Sequence, residues 1–148
     1  MKKEAAEYIH EWQITIDRIN LNFTTTGSMM AADVENLCKF GYEYPIKAVI
    51  AQQYGSVPRS YYGHSPGELI EKIGLKMYMP GNLQSGVTDM EGWYPVYPNE
   101  KAFITLVGSS TPAQWANRIE ASKQLGEFVL NQILSSSSSI FPKLTFDP

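Results

Sequence analysis

The stretch from Thr111 to Leu134 constrains the fold of this chain more than any other. Thr111 suits a helix N-cap, and Pro112 suits the first helical position, where its missing N–H costs nothing. Trp115, Ile119, Leu125, Phe128, Val129 and Ile133 then recur on one broad stripe. That spacing predicts a helix to about Leu134, with Glu120 and Lys123 pairing on its outer side. Its apolar face must be covered by a second layer of structure.

Several shorter helices are available for that layer. Ala5, Tyr8, Ile9, Trp12, Ile16, Ile19 and Phe23 recur at spacings of three and four, which predicts a helix from about Lys3 to about Asn20. Ile14-Thr15-Ile16 and Ile19-Asn20-Leu21-Asn22-Phe23 also alternate like strands, so a switch to extended chain is expected near Phe23. A second helix runs from about Met30 to Phe40 with Gly41 as its cap, and a third from Pro45 to Tyr54 before Gly55. A fourth opens on Ser65-Pro66-Gly67-Glu68, a capping-box pattern, and stops at Gly74.

Three later stretches read as strands. Leu75 to Met79 alternates loosely and is stopped by the turn residues Pro80-Gly81-Asn82. Gly92 to Pro98 is aromatic and proline-bounded, as at a sheet edge. Ala102 to Val107 is the clearest strand, and Asp89-Met90-Glu91-Gly92 reads as a solvated turn. The expected fold is therefore α+β: a small, mainly antiparallel sheet between Leu75 and Val107, covered by the long C-terminal helix and the shorter N-terminal helices. Residues 1–134 form one globular domain, and residues 135–148 a serine linker (Ser135 to Ser139) with an apolar arm.

Length and composition exclude several classes. A chain of 148 residues, 43% apolar and 18% charged, is a folded single domain. It buries on the order of 70% of its extended surface, so it needs no metal or disulfide staple. Cys38 is the only cysteine, which excludes an intrachain disulfide and a cysteine zinc site. The net charge is −3 and the arginines are Arg18, Arg59 and Arg118, with no basic stripe for nucleic acid. Met1-Lys2-Lys3 resembles the start of a signal peptide, but Glu4, Glu7 and Glu11 stand where its apolar region belongs. No stretch approaches the length of a membrane span, and a cytoplasmic protein is expected.

Chemistry has few places to reside. His10 and His64 have no metal-ligand spacing, and Asp89 with Glu91 lacks the dense ligands of a calcium loop. No phosphate-binding glycine pattern occurs, so neither metal nor cofactor is expected. Cys38 paired with His64 would suit thiolate attack, yet Cys38 follows Val34 and Leu37 on an apolar helix face, where a thiol packs as a small hydrophobe. Arg59, Tyr61, Tyr62 and His64 cluster ahead of a helix N-terminus, an arrangement suited to an anion or to acid–base work.

Tyrosine is the commonest aromatic residue and repeatedly neighbours proline or glycine. Tyr42, Tyr44, Trp93, Tyr94 and Tyr97 are thus candidates for a recognition surface. Phe141, Leu144 and Phe146 on the serine leash must bury themselves on their own domain or on a neighbouring subunit. The leading expectation is a non-enzymatic structural or assembly protein that self-associates through this arm, as in a virion or tail particle. A small-ligand or enzymatic domain built on the Arg59–His64 loop, or a monomeric inhibitor of the immunity type, are the alternatives.

Overall fold

The first helix does not stop where its strand-like alternation begins. In the computed structural model, which describes residues 1–95, 98–135 and 140–146, Lys3–Thr26 form one helix, α1. Phe23 continues the spacing of Ile16 and Ile19 and is buried with them, so burial carries the helix past the expected switch. Gly27, at φ 73°, ends it by donating its N–H to the Phe23 carbonyl.

The second and third predicted helices are one rod. Ala31–Asn36 (α2) runs through a π-helical segment, Leu37–Glu43, into Tyr44–Tyr54 (α3). Gly41 is therefore not a cap and Pro45 does not start a separate helix. Pro45 has no N–H to offer the Gly41 carbonyl four residues back, and in a regular helix its ring would strike that carbonyl. The wider turn, in which the Tyr44 N–H bonds to the Lys39 carbonyl, absorbs the misfit. The freed Gly41 carbonyl accepts a 2.7 Å hydrogen bond from the Ser122 hydroxyl.

The expected sheet is absent: among the described residues the chain is helical and has no strand. Ser65 caps Pro66–Lys72 (α4) through the predicted box with Glu68. Leu75 to Met79, expected as a strand, holds a 3₁₀ turn at Lys76–Tyr78. Gly81–Trp93 form α5, which replaces both the solvated turn and the start of the presumed edge strand. Ala102 to Val107, the clearest expected strand, lies inside Glu100–Ser109 (α6), where the Asn99 side chain accepts from the Ala102 N–H. Asn99 and Glu100 are an N-cap and an acidic first turn; these end effects outweigh the β-branched run.

Thr111 and Gln114 form a capping box at the head of Pro112–Leu134 (α7), the predicted long helix. α1 packs against α3, the π segment and α7, which also touch one another, while α5 packs on α7 and α6 on α2. At the crossing of α1 and α7 a side chain at Gly126 would collide with the Trp12 indole, whose N–H donates to the Ser122 carbonyl at 3.2 Å. The Tyr42 hydroxyl donates to the next carbonyl one turn away, that of Arg118, at 2.6 Å. The arm returns to its own domain. Leu144 is 9% exposed, Phe146 meets Tyr54 edge-on, and the Thr145 N–H donates to the Ile73 carbonyl.

Candidate functional site

Most of the residues singled out for chemistry are tied into the fold. Cys38 is fully buried, and burial pushes its thiol well above the usual range. A thiol in that state is a poor nucleophile. The two ring nitrogens of His64 lie 3.2 Å from Glu68 Oε2 and 3.1 Å from the Ser60 carbonyl. Glu68 Oε1 accepts the Ser65 N–H, and these contacts, with His64 first, hold the Glu68 carboxyl below its ordinary range. The carboxylate therefore occupies the head of α4, where the anion of the sequence reading was to sit.

The loop around it divides by burial. Tyr61 is fully buried beneath the Lys72 ammonium, 5.2 Å from the ring centroid, whereas Arg59 and Tyr62 are exposed. Asp89 and Glu91 go to separate partners. Asp89 accepts from Arg118 Nε at 3.3 Å, and Glu91 lies 3.5 Å from Lys76.

Of the residues expected to form a contact surface, Tyr42 and Trp93 lie in the core and Tyr44 and Tyr94 are half-buried. Tyr97 and the serines from 136 to 139 lie outside the described residues. Trp93 and Trp115 meet edge-on, and the Arg118 guanidinium lies over both rings at 4.9 and 4.7 Å. Arg118 is only 6% exposed and also donates to the Ser110 hydroxyl at 2.9 Å. This indole–guanidinium cluster locks α5 to α7. Phe141 stacks on Phe146, and the Tyr78 hydroxyl donates to the Lys143 carbonyl, so the arm's apolar residues cover the surface near Tyr54 and Ile73.

The outer face of α1 carries exposed apolar residues in helical register, whereas Met77, Ile104 and Leu134 are exposed on other elements. Glu4, Glu7, Glu11, Ile14, Arg18, Leu21 and Thr25 follow one another at alternating spacings of three and four. They form a row opposite the buried Ala5, Ile9, Trp12, Ile16, Ile19 and Phe23. Ile14 is 47% exposed and Leu21 65%, and Met30, 70% exposed, borders the same groove as Leu21.

At the other end Glu4, Glu7 and Glu11 border a groove walled by Tyr8 and Tyr44, whose rings meet edge-on at 5.0 Å. Burial, and then the Glu4 carboxylate, push the Tyr8 phenol up to about 12. Burial also raises the nearby Glu43 carboxyl, against the pull of Lys47 at 3.6 Å. The sequence did carry a signal of this row. Ile14 and Leu21 are the residues that made the segment alternate like strands, because they fall off the inner helical face.

No protein-family model matches this chain, and neither the curated proteins nor the solved structures contain a match to it. Among the described residues, no helix is long and apolar enough to cross a membrane.

Proposed function

We propose that the domain is a structural or assembly protein that works by binding other protein chains, and that the outer face of α1 is its contact surface. One observation carries this reading: Ile14 and Leu21 are exposed in register on a helix whose opposite face is fully committed to the core. Single exposed apolar residues are ordinary, but a row in helical register, on a helix braced by α3, the π segment and α7, presents a shaped surface. The arm is spent on its own domain in this reading, which moves the contact from residues 140–146 to α1. A cytoplasmic setting belongs to the proposal, supported by the single buried thiol.

The test is site-specific photocrosslinking in cells, with the reactive group placed at Ile14 or Leu21 and, as control, at the exposed Thr88 of α5. Protein adducts are expected from the α1 positions and not from Thr88. Equal or absent adducts from both faces would overturn the proposal.

A further inference from the structure

We infer that the partner fitted by this face is a second copy of the chain, its α1 lying antiparallel to the first; the inference rests on the proposed protein-contact role. The row is electrically lopsided. Its first half carries Glu4, Glu7 and Glu11, its second half carries Arg18 as the only charge, and Ile14 stands between them. Among the described residues, neither Glu7, Glu11 nor Arg18 forms an ion pair within the chain; the pairs present are Lys47–Glu43, His64–Glu68, Lys76–Glu91 and Arg118–Asp89. Glu4 Oε2 is shut off from solvent without a donor.

A two-fold axis near Ile14 makes such a row complementary to itself. Arg18 of each copy then faces Glu7 and Glu11 of the other, the two Ile14 side chains meet near the axis, and each acidic half meets the half holding Leu21. A parallel pairing would instead set Glu4, Glu7 and Glu11 against their own copies, which like-charge repulsion opposes. The spacing is that of a heptad seam, and a 24-residue helix gives a contact line about 36 Å long.

The receiving end also has the right chemistry for a guanidinium. It offers carboxylates beside the Tyr8 and Tyr44 rings, and the molecule already uses that combination internally, where Arg118 lies over two indoles and binds Asp89. With only Ile14 and Leu21 as exposed large apolar residues on the seam, the association is modest in affinity and sensitive to salt.

The experiment is sedimentation equilibrium of the full-length chain at low ionic strength, with a charge-swap series. The unaltered chain is expected to dimerise. Arg18→Glu alone, and Glu7→Arg with Glu11→Arg, are each expected to weaken dimerisation by about tenfold or more, because every substitution acts twice across the axis. Combining all three should restore it to within about threefold of the original. All three side chains are exposed, so helicity by circular dichroism should stay constant throughout the series.

A dimer indifferent to these changes, or not restored by the combination, would overturn the assigned face. A chain monomeric at every concentration that still gives adducts of another mass from Ile14 would overturn the second copy and leave the proposed function standing. A monomer with no adducts would end both.

Discussion

The inner and outer faces of α1 belong to one helix and obey opposite rules. Inside, Trp12 fits where Gly126 leaves room, its N–H is satisfied by the Ser122 carbonyl, and Ile16 and Ile19 are fully enclosed. Outside, Ile14, Arg18 and Leu21 stand exposed, yet they keep the same three–four spacing. The contrast separates residues that make the fold from residues that the fold presents. Substitutions on the two faces should therefore move different observables.

The largest effect is expected at the junction. Gly126→Ala would push a methyl group into the Trp12 ring, which its hydrogen bond and the α7 backbone hold in place. We expect a loss of about 3 kcal/mol in denaturant unfolding, at the upper end for overpacking. A loss below about 1 kcal/mol would mean that the two helices can part cheaply, and the inner face would no longer be the rigid reference.

The arm should give an intermediate value. Leu144 is 9% exposed and sits on the domain's own surface, so Leu144→Ala should cost about 2 kcal/mol. That loss should be independent of protein concentration, as expected of a contact made within one chain. If it shrank on dilution, the arm would be acting between copies, as the sequence alone allowed.

How much of this was legible beforehand follows the same division. The ends of α7 and α4 were readable because Thr111-Pro112 and Ser65-Pro66 with Glu68 are local signals, complete within four residues. The sheet was misread because short apolar runs such as Ala102 to Val107 do not distinguish strand from helix by period. The decisive residues were Asn99 and Glu100 just ahead of the run.

α5 was obscured by Gly81 and Gly92, which read as turn residues. Gly86 is there for a long-range reason: a Cβ would stand 2.7 Å from that of Ala121, so its absence lets α5 lie close to α7. Gly41 and Pro45 likewise read as stop and start. Only the π segment and the Ser122 hydroxyl, contributed 81 positions later in the chain, make them interior. The candidate chemical residues were easy to find in the sequence, but the burial of Cys38 and Tyr61 and the engagement of Asp89 by Arg118, 29 positions away, were not, because they are facts of packing.

The smallest stability effect is expected on the outer face, where Ile14→Asp should change the unfolding free energy by less than about 0.5 kcal/mol. The same variant removes the side chain nearest the proposed two-fold axis. The decisive measurement is the solution mass of the unaltered chain and of Ile14→Asp, side by side, by light scattering behind a sizing column across a concentration series at low salt. The unaltered chain is expected to rise reversibly from 16.6 kDa toward twice that mass, while Ile14→Asp stays at 16.6 kDa. Identical masses for the two proteins at every concentration would contradict it.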